Sequence, residues 1–135
     1  MNIVDTSVVT KWFLREKYSE EAISLLEQEK EFIAPDYLRI EFHSNISKKV
    51  RAGFITNDES REILGIFEIV DLWFEPYKNL ESVAFELSTD YPVTFYDAIF
   101  IALAFNTRSI LYTFDEKLKK SAANTAFDEY ISVPV

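Results

Sequence analysis

Met1-Asn2-Ile3-Val4-Asp5-Thr6-Ser7 opens a chain of 135 residues by setting an apolar pair directly before an acid and two hydroxyl side chains. The pair reads as a short strand, and Asp, Thr and Ser all serve as helix caps. The stretch therefore reads as a strand that passes straight into a helix beginning near Ser7. A similar handover recurs late in the chain, where Ile110-Leu111-Tyr112-Thr113 runs into Phe114-Asp115. Further apolar runs stand at residues 32–34, 70–74 and 131–133, and the gaps between the runs are long enough for helices. This alternation predicts an α/β fold built on a parallel sheet.

The gaps carry helical patterns. Residues 19–29 place Ala22, Ile23, Leu25 and Leu26 on one side with acids outward, which is amphipathic spacing. Pro35 suits the first position of the next helix, whose Leu38, Phe42, Ile46 and Val50 form an i, i+4 stripe until Gly53 ends it. Thr56 or Asn57 caps another helix carrying Ile63, Leu64, Phe67 and Ile69. Pro76 begins a further helix through Leu80, Val83, Ala84 and Leu87, and Tyr91-Pro92 breaks the pattern. Residues 95–106 are apolar on nearly every side, as a helix packed on several neighbours would be. No repeat, low-complexity tract or linker interrupts the chain, so residues 1–135 are expected to form a single domain.

Composition narrows the chemistry. The chain has no Cys, which excludes disulfides, thiolate nucleophiles and Cys-based zinc sites, and its single His, His43, excludes a His-rich metal site. The N-terminus lacks a basic region followed by a sustained apolar stretch, so it does not read as a secretory signal. The most apolar segment, 98–105, is far too short to span a membrane. A soluble cytoplasmic protein is expected. The formal net charge of −9 opposes the usual electrostatic route to nucleic acid. Setting aside four candidate site acids still leaves −5, so acidity is spread over the surface.

Those acids are Asp5, Glu41, Asp97 and Asp115. Asp5 and Asp115 each follow a strand, and the carboxyl ends of parallel strands form the ligand crevice of open sheets. Each also fits an N-cap, and taken singly the cap is the commoner outcome. Asp97 is the only charged residue between Val93 and Asn106. With Thr94 it has the spacing of a capping box in which Asp replaces Glu, a role compatible with a site. Glu41 borders the Leu38/Phe42/Ile46 stripe, where an acid faces either a cleft or solvent. Clustered carboxylates that lack a counter-charge suit a hard cation such as Mg²⁺ or Mn²⁺. Such an ion activates water and stabilises charge in phosphoryl transfer.

Taken together, Ile3-Val4-Asp5-Thr6-Ser7, Ala34-Pro35 leading to Glu41, Tyr96-Asp97-Ala98 before an apolar helix, and Thr113-Phe114-Asp115 after a late strand resemble the PIN-domain family. The length resembles its VapC-type toxins, and the match spans nearly the whole chain. The resemblance implies a three-layer α/β/α sandwich with a central, mainly parallel sheet of four to five strands. It implies a Mg²⁺ or Mn²⁺ site made by Asp5, Glu41, Asp97 and Asp115, with Thr6 and Thr113 as supporting hydroxyls. It further implies an endoribonuclease acting on RNA, a homodimer, and a cognate antitoxin whose basic tail enters the acidic groove. One position departs from the family: three residues after Glu41 stands Ser44 where Asn is usual, and Asn45 follows.

Other readings remain beside this one. A PIN nuclease of RNA processing and a catalytically silent protein-binding module share the same fold. A phosphatase with an aspartyl nucleophile is disfavoured, because no second Asp stands two residues after Asp5. His43, two along a helix from Glu41, points away from it and reads as a surface or packing residue. Lys48, Lys49 and Arg51 precede Gly53 and complement a helix C-terminus, a reading preferred to phosphate binding.

Overall fold

The computed structural model describes residues 1–134. Five short strands form one sheet: β1 (Asn2–Val4), β2 (Phe32–Pro35), β3 (Leu72–Glu75), β4 (Leu111–Tyr112) and β5 (Ile131–Ser132). Their order is β3-β2-β1-β4-β5, and every neighbouring pair is parallel. The helices between them are α1 (Thr6–Phe13), α2 (Ser19–Gln28), α3 (Tyr37–Arg51), α4 (Asn57–Phe67), α5 (Glu81–Asp90), α6 (Phe95–Thr107) and α7 (Glu116–Ala122). The chain moves outward from β1 to β3 and then returns to β4 on the other side of β1. With right-handed crossovers that reversal sets α1–α4 on one face and α5–α7 on the other, the expected three-layer sandwich.

The reversal makes the boundary between β1 and β4 a topological switch point, where connections leave in opposite directions and open a crevice at the strands' carboxyl ends. Val4 pairs with Tyr112, and the Asp5 N–H donates to the Tyr112 carbonyl at 3.2 Å. The chain segments just past these two strands are therefore held side by side.

Local chemistry sets the helix ends. Thr56 makes a full capping box with Glu59 at the start of α4. Thr94 caps α6 through the Asp97 N–H. Gly53 follows α3 at φ 80°, a left-handed conformation that costs glycine least. Helix α6 is buried from Ala98 through Ala104, as its all-round apolar pattern predicts, and touches β1, β2 and β4. The core joins it to Ile3, Val4, Phe32, Leu38, Phe42, Ile46 and Leu111. No helix among the described residues is long and apolar enough to cross a membrane.

Several local expectations require correction. Pro35 is the last residue of β2, paired with Glu75, and the helix starts at Tyr37. Here the ladder to β3 is carried by the Asp36 N–H, which donates to the Glu75 carbonyl at 2.8 Å, so this pairing does not call on a proline N–H. Pro76 leads into a 3₁₀ turn at Tyr77–Asn79, and the α-helix begins only at Glu81. Ile69 lies beyond α4 and is 79% exposed rather than part of its buried stripe.

Burial of α6 on all sides has a measurable consequence. Leu103, 2% exposed, becomes a cavity in Leu103→Ala, and that variant should lose about 2–5 kcal/mol of stability. Urea denaturation measures this directly. A loss below about 1 kcal/mol would mean that α6 is not enclosed as described.

Candidate functional site

The site grows from the end of β1. Asp5 is 9% exposed, and its carboxylate is held by three donors. The Thr113 hydroxyl donates to Oδ2. The Ser7 hydroxyl donates to Oδ1 at 2.5 Å and the Val8 N–H donates to the same oxygen at 3.2 Å. The two hydroxyls are bridges. Ser7 Oγ also accepts from the Phe114 N–H at 2.9 Å, and Thr113 Oγ1 accepts from the Asp115 N–H at 3.0 Å. The 113–115 segment is thus tied to Asp5 twice.

Asp115 caps α7, with Oδ1 accepting from the Lys117 and Leu118 N–H groups at 2.9 and 3.2 Å. Glu41, on α3, accepts from the buried Thr6 hydroxyl at 2.7 Å. Asp97 stands in the first turn of α6. Its N–H bonds to Thr94 Oγ1 at 3.1 Å, and only this half of the anticipated capping box forms. The Asp97 carboxylate does not close on the Thr94 N–H among the described residues.

Electrostatics connect the four acids. Burial pushes the Asp5 carboxyl up to about 6 from an ordinary 3.8; bonds from Ser7, Thr113 and Val8 oppose the rise, and the Asp115 charge adds to it. Glu41 is also pushed up by burial, with the Thr6 bond opposing and the Asp97 charge adding. Asp97 is raised by burial and then by Asp115, and Thr94 tempers the shift. The chain of mutual influence therefore runs Asp5, Asp115, Asp97, Glu41. None of the three ion pairs among the described residues involves any of them.

The donor set is entirely oxygen and lacks a protein counter-charge, which fits a hard divalent cation. The carboxylates share one electrostatic field, but no three acids or His among the described residues form a ready-made ion-binding cluster. Thr6 and Thr113 each donate a hydroxyl hydrogen to one of the candidate acids, Glu41 and Asp5. Asn45, one turn beyond Glu41, lies 3.4 Å from Thr10 Oγ1 on the side facing α1, whereas Ser44 lines a separate cavity with His43 and Leu64. His43 bonds to the Arg39 carbonyl at 2.7 Å.

In the sequence Ser7 reads only as a possible cap, and its bridge from Asp5 to Phe114 is visible only in the structure. A hydroxyl two residues after a strand-end acid was the available signal. Only the structure shows the stack of Tyr37 on Tyr96, 5.5 Å between centroids and 26° between planes. The Tyr37 hydroxyl is pushed up by burial and then by the Glu41 and Tyr96 charges, which places it at the rim of the acidic group. No signal in either segment alone announces that pairing.

A family model described as a PIN domain matches residues 3–124. The ribonuclease VapC3 of Pyrobaculum aerophilum is 28% identical over 123 residues, covering 86% of this chain and 90% of that protein. Among solved structures, a toxin–antitoxin complex from Klebsiella pneumoniae aligns with a TM-score of 0.70 at 17% identity, covering 100% of this chain and 98% of its own. The Mycobacterium tuberculosis toxin VapC20, which cleaves the sarcin-ricin loop, aligns at 0.69 and 18% identity, covering 94% and 98%. These structural likenesses concern the fold.

The raised carboxyl of Asp5 fixes the sign of a pH effect. Native protein holds a proton there that the unfolded chain releases near its ordinary value of 3.8. The associated stability is complete below that value and is lost as pH rises through about 6, a change on the order of 3 kcal/mol. Metal-free protein should therefore weaken across this window relative to Asp5→Asn, which has no such proton. Urea denaturation in EDTA at a series of pH values measures the difference. Parallel profiles for the two proteins would show that Asp5 does not carry the cost of burial.

Proposed function

The chain belongs to the PIN-domain family, and from that premise we propose that it is a Mg²⁺- or Mn²⁺-dependent endoribonuclease, the toxin component of a toxin–antitoxin pair. The observation that carries this reading is a set of electrostatically linked carboxylates at the sheet's switch point, without a protein cation among them. The name of the Pyrobaculum relative and the toxins among the similar structures support it.

In this reading Asp5, Glu41, Asp97 and Asp115 hold the ion. A bound divalent cation offsets phosphoryl negative charge and makes water a better nucleophile near neutral pH. The protein's own part is positioning. Thr113 and Ser7 hold Asp5 and draw the Asp115 backbone toward it, while Thr6 orients Glu41 from the first turn of α1. Because three of these carboxylates resist ionisation, protons compete with the ion, so cation binding should weaken as pH falls.

The partners follow from the same charges. RNA is the substrate, and the place of action is the cytoplasm. The co-encoded antitoxin presents an Arg or Lys to the acids, because a guanidinium fork pairs carboxylates with two hydrogen bonds. A net charge of −9 attracts such a basic tail over distance. The working form is a homodimer, supported by exposed Ile40 and Tyr96 beside the Tyr37 stack. Sedimentation at micromolar concentration tests that state, and a monomer would reject it.

Purified protein should cut single-stranded RNA with Mg²⁺ or Mn²⁺ and stop in EDTA. Asp97→Asn keeps the side-chain shape and discards the charge, and it should reduce cleavage on the order of 10²–10³-fold, the scale of losing one preorganised electrostatic group. Its fold should survive, and its thermal shift on adding Mn²⁺ should shrink. Full metal-dependent activity in both Asp97→Asn and Asp5→Asn would end the proposal. In the same assay, inhibition by the co-encoded protein should ease as Mg²⁺ rises and fail when its basic tail residues become Ala. Indifference to both would place the inhibitor elsewhere.

A further inference from the structure

Beside the acids, α1, α3 and the turn after Gly53 enclose a groove of about 440 Å³. Ser7 lines its inner end, where its hydroxyl is bonded to Asp5. Lys11, Asn45, Lys48 and Lys49 continue the lining, and Phe54 stands at the far end. Phe54 is 74% exposed, and the Lys49 ammonium lies 4.9 Å from its ring centroid.

The local charge reverses that of the molecule. The chain carries −9 overall, yet this groove is lined by three lysines and one acid, Glu16. Glu16 is engaged with Lys11 at 3.2 Å. Neither Lys48 nor Lys49 is in an ion pair among the described residues. Complementing the end of α3 explains why cations stand there but not why they face this way. Arg51 serves the same helix end from another cavity, with His43 and Ser44. Nor does it explain an exposed aromatic beneath a lysine.

Cations that track a backbone, combined with an exposed ring on which a base can stack, are how proteins hold single strands without reading sequence. The groove also lies along the correct axis. From Glu41 to Lys49 the helix rises about 12 Å, so a strand with one phosphate at the acids continues over the lysines. We propose that this groove seats the single-stranded RNA that flanks the cut, with Lys48 and Lys49 on its phosphates and Phe54 under a base. The inference rests on the ribonuclease reading above. It supplies what that reading lacks, a place where an acidic protein attracts its acidic substrate.

The test uses a fluorescein-labelled, mixed-sequence single-stranded RNA for binding in EDTA, and cleavage of that RNA and of a dinucleotide in Mg²⁺. The double change Lys48→Ala and Lys49→Ala should lower the slope of log affinity against log salt by about 1.4, at about 0.7 for each phosphate no longer neutralised. Phe54→Ala should weaken binding about five- to hundredfold with the slope unchanged, and Phe54→Tyr should restore it. Both sets should raise KM for the long RNA, leave dinucleotide cleavage and thermal stability intact, and differ from Arg51→Ala, which faces away. A wild type that cuts RNA while the groove variants match it in affinity, slope and KM overturns this inference and leaves the nuclease standing. A wild type that cuts neither substrate, yet binds RNA through these residues, ends the nuclease reading and keeps the groove. Variants that bind RNA normally but no longer bind a co-encoded protein would assign the groove to that protein and overturn the inference.

Discussion

Asp5 is taken out of water where β1 and β4 end side by side, and the surrounding structure answers that cost. A buried carboxylate requires donors, and three reach it, from Thr113, Ser7 and Val8. Two of these donors are hydroxyls, each of which has one hydrogen to give and lone pairs left to accept. Those lone pairs receive the Asp115 and Phe114 N–H groups. One buried acid therefore fixes the course of the chain after β4 and, through it, the place of a second acid. The short sheet pairing alone would not do this, since β4 and β5 each contain only two residues.

The remaining acids are joined by charge rather than by hydrogen bonds. Asp97 lies between the influences of Asp115 and Glu41, and both it and Glu41 are also pushed toward the neutral form by burial. None of the described ion pairs offsets that charge, in a chain with 14 Lys and Arg residues. Uncompensated carboxylates on a protein of net charge −9 repel phosphate at every distance that salt does not screen.

The parts of this arrangement differed in how far they could be read in the sequence, for physical reasons. Strand positions were legible because each strand is a short apolar run between turn residues, although the run at 70–74 begins as a strand only at Leu72 and continues to Glu75. The strand-end placement of Asp5 and Asp115 was legible because each follows its apolar run directly, whereas the order β3-β2-β1-β4-β5, which sets those two ends side by side, is seen only in the structure. Pro35 was ambiguous because a missing N–H is tolerated equally at a helix start and at a strand end. Glu41 was legible only through its resemblance to the family, since its helix face borders both core and solvent. Ser7 to Phe114 and Tyr37 to Tyr96 join segments distant in the chain, and no local pattern records such meetings.

The sequence offers a cap and a site reading for Asp5 and Asp115, and the structure shows both acids as caps, an arrangement compatible with a site. Each acid uses Oδ1 for backbone N–H groups at the start of the helix that follows. Those N–H groups also form the positive end of the helix dipole, which eases the presence of an anion in its first turn. The cap thus orients the side chain and lowers the cost of its charge before any ligand arrives. A strand that ends in an Asp-capped helix is an inexpensive way to hold a carboxylate still at a sheet edge. Two such junctions at neighbouring strand ends hold two carboxylates within reach of each other's charge. The switch point supplies the neighbourhood, and the caps supply the fixed direction that a flexible surface acid lacks.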